Sequence, residues 1–289
     1  MSKESSSLQE NSVASYYESW ESRLGYRLFL HGEKHLGWHE DGIPIPDSEA
    51  RERTVDVVAN RLNLKYKSGL LLLDAGAGLG GPSRHIARSY NAQVEGISVV
   101  PFEVKSAQKK VAELACNYHL MSYDNLKFDP DYFDGVYTIE TLSHAKDVSK
   151  VFSEFYRVLK PGGRIAFFEY TMAPDERFSA GERKISDFAI KTGALWGMYA
   201  LRHGEFEENL KQQGFEDITV ETRTKEVLPS LQRLHKYAHP ASVVLKKLGI
   251  VGPFRNTLVA DDWHTLFEKD LWRLVVVSAQ KPGRSNGKT

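Results

Sequence analysis

The chain has 289 residues, 38 Lys+Arg against 38 Asp+Glu for a formal net charge of zero, and 41% hydrophobic residues. That length fits one α/β domain with an insertion, and the balanced charge gives no electrostatic footprint for nucleic acid. The single cysteine, Cys116, excludes an internal disulfide and a Cys-based zinc cluster, and no run approaches the roughly 20 apolar residues of a membrane span.

Residues 1–11 are polar and read as a disordered tail with no signal-peptide core, so a soluble, cytoplasmic protein is expected. Residues 12–62 read as an N-terminal cap. Up to Asp41 it is dense in aromatics and histidines, among them Tyr16, Tyr17, His31, His35, Trp38 and His39, and a helix over 51–62 follows.

Next comes Leu70-Leu71-Leu72-Leu73-Asp74-Ala75-Gly76-Ala77-Gly78-Leu79-Gly80-Gly81. The apolar run reads as a strand buried on both faces. The glycines allow a tight turn and close backbone approach to a ligand before a helix that Pro82 helps to start. Gly76, Gly78 and Gly81 satisfy the dinucleotide spacing, a weak signal alone. Asp74 argues against it: a pyrophosphate gains from bare N–H groups, and a carboxylate repels it. S-adenosylmethionine instead offers an ammonium and a sulfonium, so charge favours a methyl donor.

Strands are expected at 69–74, 93–98, 135–139, 164–170, 218–222 and 273–279, with helices at 81–90, 102–115, 147–159 and 203–213. Cys116 falls at a predicted helix end, as an inert small hydrophobe. Lys160-Pro161-Gly162-Gly163 reads as a helix stop leading into a strand. The alternation predicts a doubly wound, mostly parallel sheet over 63–281 with helices on both faces. Segments at about 171–202 and 225–268, the latter with helical pieces near 228–237 and 241–248, would form a lid with the aromatic cap, and 282–289 is a polar tail.

Three motifs carry a family resemblance: the glycine turn through Pro82, Tyr137-Thr138-Ile139-Glu140-Thr141-Leu142-Ser143-His144-Ala145, and Val158-Leu159-Lys160-Pro161-Gly162-Gly163. Together they resemble class I S-adenosylmethionine-dependent methyltransferases, in particular the sterol C-24 branch. Ser15-Tyr16-Tyr17-Glu18-Ser19, Gly32-Glu33-Lys34-His35-Leu36-Gly37-Trp38 and the ending 272–282 resemble fungal natural-product methyltransferases, including epipolythiodiketopiperazine N-methyltransferases. The resemblance implies a Rossmann-like fold, S-adenosylmethionine as cofactor and S-adenosylhomocysteine as product. It also implies that Asp74 and Gly76 hold the methionine end, that Gly78 lets the backbone approach, that Asp124 contacts adenine and that Tyr16 or Tyr17 closes over the methyl donor. Ser98 stands where the family usually has a ribose-binding carboxylate.

Methyl transfer needs in-line approach, exclusion of water and sometimes a base. His144 and Glu140, four residues apart after a strand end, are the candidates for that base. Tyr16, His35, Trp38, Glu169, Trp196 and Tyr199 are candidate substrate contacts. No metal is expected: breaks at Gly37 and Gly42 interrupt His31, His35 and His39. The expected reaction is methylation of a nitrogen or carbon on a small, largely apolar natural product. The alternatives are cofactor-assisted cyclisation on the same fold and a non-catalytic cofactor-binding subunit. The expected partners are the acceptor and a second copy of the chain.

Overall fold

The computed structural model describes residues 35–248 and 255–284. A seven-stranded sheet runs in the order β3-β2-β1-β4-β5-β7-β6. Its strands are β1 (Leu71–Ala75), β2 (Gln93–Ser98), β3 (Cys116–Leu120), β4 (Phe133–Ile139), β5 (Leu159–Met172), β6 (Glu216–Thr222) and β7 (Trp272–Gln280). β1 to β5 pair in parallel, and β7 lies antiparallel between β5 and β6.

Side-chain alternation divides the core. Leu72, Tyr137, Ala166, Phe168 and Tyr170 join the buried cluster on one face, and Leu73, Val136, Ile165 and Phe167 join that on the other. α1 (Asp47–Arg61) buries Val55, Val58 and Ala59 on the first face. On the second lies α4 (Val148–Val158), started by Asp147, whose carboxylate accepts the Lys150 N–H at 3.0 Å. Its Phe152 stacks on Phe167, centroids 5.7 Å apart.

α2 (Gly81–Tyr90) follows the glycine turn, and α3 (Pro101–Gln108) follows β2. α5 (Ala180–Gly193), α6 (Glu205–Gln212), α7 (Thr224–Leu248) and α8 (Arg255–Glu268) complete the described helices. Among the described residues no helix is long and apolar enough to cross a membrane.

Three local expectations are corrected. α3 ends at Gln108, and Cys116 opens strand β3 instead of closing a helix. Its sulfur is buried, and desolvation raises the thiol pKa to about 11, which keeps it inert at neutral pH. The helix stops at Val158 as expected, but Lys160-Pro161-Gly162-Gly163 lies within β5. Gly162 N–H donates to the Lys281 carbonyl and Lys281 N–H to the Gly163 carbonyl, each at 2.9 Å, so the end of β7 draws the motif into the sheet. The two helical pieces expected near 228 and 241 form one helix, α7, with Pro229 and Pro240 inside it.

Candidate active site

Strand order reverses between β1 and β4, and a pocket opens beyond the C-terminal ends of β1, β2 and β4, where open α/β sheets bind ligands. Gly76 sits at φ +126° and Gly78 at +51°. A Cβ on Gly76 would collide with Thr141, whose hydroxyl donates to the Ala75 carbonyl at 2.8 Å. A Cβ on Gly78 would meet nothing, leaving that backbone open to a ligand. Asp74 is 3% exposed, lines the pocket and accepts the Ser83 hydroxyl of α2 at 2.5 Å.

Ser98 lines the pocket at the end of β2, but its hydroxyl is engaged. It donates to the Glu103 carboxylate at 2.7 Å and accepts the Val100 N–H at 3.1 Å. Glu103, in the first turn of α3, is 4% exposed and also lines the pocket. The strand-end acid missing from the sequence reading thus arrives five residues later, on a helix. Its signal was Pro101, which starts a helix whose first turn folds Glu103 back toward the strand end. Asp124 lines the same pocket from the loop after β3.

Glu140, His144 and His35 line the pocket as well. Glu140 is a non-glycine residue at φ +54°. Its carboxylate accepts the Leu36 N–H at 2.7 Å and the Tyr170 hydroxyl, and burial raises its pKa to about 8. The His35 ring lies 3.3 Å from the Arg51 carbonyl through Nε2. Nδ1 of His144 lies 3.1 Å from the Ala194 carbonyl. That contact selects the tautomer with Nδ1–H donating, so Nε2 is the acceptor nitrogen.

Four residues expected at the substrate stand away from this pocket. Glu169 is fully buried, and its carboxylate accepts the N–H groups of Thr141 and Leu142 at 2.9 and 3.1 Å. Burial raises its pKa to about 7. It holds the backbone where the turn Leu142–His144 begins. Trp38 is buried against Phe168, centroids 6.5 Å apart, and its indole donates to Glu40 at 2.8 Å. Trp196 packs on the core cluster, and Tyr199 is 40% exposed with its hydroxyl donating to Asp187 at 3.2 Å. His39 is fully buried, 3.0 Å from the Ser230 hydroxyl, and its Nδ1 accepts the Ile45 N–H. Tyr16, Tyr17 and His31 lie outside the described residues.

Among the described residues, Asp74, Glu103, Asp124 and Glu140 thus share one pocket with a single lysine, Lys146. A carboxylate-rich wall beside an open glycine backbone fits a cationic amino-acid nucleoside and disfavours a pyrophosphate.

Residues 73–167 match the family described as Methyltransferase domain. The chain is 26% identical over 284 residues to the S-adenosyl-L-methionine-dependent Diels-Alderase iccD of Talaromyces variabilis, covering 94% of this chain and 96% of that one. It is 35% identical over 189 residues to 24-methylenesterol C-methyltransferase 3 of Arabidopsis thaliana, covering 63% of this chain and 50% of the relative, so it spans about half that relative's length. Among solved structures, the mycolic acid cyclopropane synthase CmaA1 complexed with SAH and CTAB superposes with a TM-score of 0.79 at 18% identity, over 94% of this chain and 98% of that one. The glycine turn and the family match fall in the same stretch: residues 73–167 match a methyltransferase domain, on a fold shared with the cyclopropane synthase.

Proposed function

We propose that the chain transfers a methyl group from S-adenosylmethionine to a nitrogen or carbon of a small, largely apolar natural product. One observation carries this reading: the carboxylate-lined end formed by Asp74, Glu103 and Asp124 opens into the same pocket as Glu140 and His144. When bound, the cofactor supplies an electrophilic methyl on a sulfonium.

The chain's own residues do the rest. Asp74 and the glycine turn receive the amino-acid end, Glu103 with Ser98 the ribose, and Asp124 the adenine. Glu140 retains its proton near neutral pH, because burial raises its pKa to about 8. Its carboxyl also holds the backbone at Leu36, next to the pocket-lining His35, through the Leu36 N–H at 2.7 Å. His144, with Nδ1 committed to the Ala194 carbonyl, takes the acceptor's proton at Nε2.

A second reading, cofactor-assisted cyclisation, is supported by the end-to-end match with a Diels-Alderase, against half-length coverage of the sterol enzyme. Incubating an extract of the producing organism with the protein and methyl-labelled cofactor separates the two by mass spectrometry. A labelled product supports methyl transfer, and an isomer of unchanged mass supports cyclisation. Neither product, with cofactor demonstrably bound, leaves a binding subunit and overturns both.

A further inference from the structure

Outside the pocket, α7 and α8 face each other across a second cluster of ionisable side chains. His235 and His239, one helical turn apart on α7, both direct Nδ1 at Oδ1 of Asp261 on α8, at 3.1 and 2.8 Å. These three donor atoms lie within 4.8 Å of one another, the one such group of three among the described residues. The other Asp261 oxygen accepts the hydroxyl of the fully buried Ser242 at 2.7 Å. His264 of α8 stacks on His235, centroids 4.6 Å apart, and its own Nδ1 lies 3.4 Å from Glu268.

We propose that His235, His239 and Asp261 bind a divalent transition metal of the zinc class, clamping α7 to α8.

The donor chemistry fits that class. Two imidazoles one turn apart on a helix and a carboxylate from a neighbouring element form a three-ligand set that leaves one position for water. Donor atoms in a tetrahedral site with bonds of about 2.0–2.1 Å stand about 3.3 Å apart. The 2.8 and 3.1 Å His–Asp separations need to open by a few tenths of an ångström, and the two histidine nitrogens, within 4.8 Å of each other, to settle at that same spacing. Binding at Nδ1 requires the ring proton on Nε2, a tautomer change in a neutral imidazole with no net proton loss. Ser242 holds the second carboxylate oxygen as outer-shell groups do, fixing which oxygen meets the ion. Asp261 is 8% exposed and His239 53%, so the anchor is sheltered and solvent has a way in.

The clamp bears on the pocket through contacts already made. Trp263, two residues from Asp261, meets the Tyr170 ring at 5.7 Å, and the Tyr170 hydroxyl donates to Glu140.

The test uses the untagged full chain, stripped with a chelator and titrated with Co2+ as the visible probe, then with Zn2+ in competition. One equivalent of Co2+ is expected to give d–d absorption that Zn2+ abolishes, and Zn2+ is expected to raise the melting temperature. His239→Ala, at a half-exposed ring, should remove the signal, with His239→Gln as the second variant should the first not fold. Ser242→Ala should weaken binding about tenfold to a hundredfold. His119→Ala, at the separate Glu95 pair, should leave it unchanged. A folded parent that binds no stoichiometric Co2+, or a folded His239→Ala or His239→Gln chain that keeps its full equivalent, overturns the proposal and leaves a hydrogen-bonded cluster.

Discussion

Ser98 donates its hydroxyl to Glu103 at 2.7 Å, which joins the end of β2 to the first turn of α3 and places a carboxylate at the pocket wall. A serine at the strand end therefore does not leave that end without an acid. The acid comes from the next element, and the serine orients it.

This pairing reverses the effect that the sequence alone suggests for an acidic replacement. Ser98→Asp would set a second carboxylate beside Glu103 in a buried site, and like charges there repel. Cofactor affinity is expected to fall instead of rise. Glu103→Ala should weaken binding by about 1.5–3 kcal/mol, the range for a hydrogen bond to a charged group. Calorimetry with S-adenosylhomocysteine checks both, and unchanged affinity in a folded Glu103→Ala chain would remove Glu103 from the ribose site.

The methionine end has its own pair of tests. Asp74→Asn keeps an acceptor for the Ser83 hydroxyl but loses the charge facing the pocket. Affinity for S-adenosylmethionine should drop by about 1.5–3 kcal/mol. Gly76→Ala adds backbone strain of about 1–3 kcal/mol at φ +126° and drives a methyl into Thr141. It should lower both melting temperature and cofactor affinity. An alanine variant of parental stability and affinity would show that the turn tolerates a Cβ.

Glu169 ties pH to stability. Its folded pKa of about 7 lies above the ordinary 4.5, so the folded chain holds this proton more tightly than the unfolded chain. Stability from this group is complete below about pH 4.5, declines as pH rises toward 7 and levels off above it. Glu140 extends the same slope to about pH 8. Glu169→Gln still accepts the Thr141 and Leu142 N–H groups through its amide oxygen and no longer ionises. Its melting temperature should fall less than the parent's between about pH 5 and 8. Equal slopes would place the titration elsewhere.

The glycine turn and most of the sheet were legible because their signals are local. Leu70–Leu73 is apolar on both faces, and Gly76 and Gly78 occupy positive φ where other residues are strained. β3 was missed because it is a five-residue edge strand whose Asn117 is exposed and His119 only half-buried, so no apolar run marks it. The burial of Glu169 depends on its register. In β5, Phe168 and Tyr170 face the cluster that holds Trp38, while Phe167 faces the other, and alternation sends Glu169 with Phe167. Glu103 depended on how α3 packs against β2, and the Trp38 contact on how the segment before α1 meets Phe168. Neither relation is written in sequence spacing.

The base assignment rests on His144, and its test separates chemistry from folding. With Nδ1–H given to the Ala194 carbonyl, Nε2 is the basic nitrogen, and the ring lines the pocket shared with the carboxylate-rich end. A general base contributes typically about 10²–10⁴-fold. His144→Ala is expected to cut methyl transfer at least about tenfold while cofactor affinity barely moves. Removing the ring also removes a bond between the turn Leu142–His144 and the carbonyl that follows α5, so some loss of melting temperature is expected as well. A purely structural role predicts that stability loss alone, with turnover per folded molecule intact. Measuring turnover, cofactor binding and melting temperature on one preparation distinguishes the two. A folded His144→Ala enzyme with parental turnover would end the base assignment, leaving proximity in the shared pocket as the source of the rate.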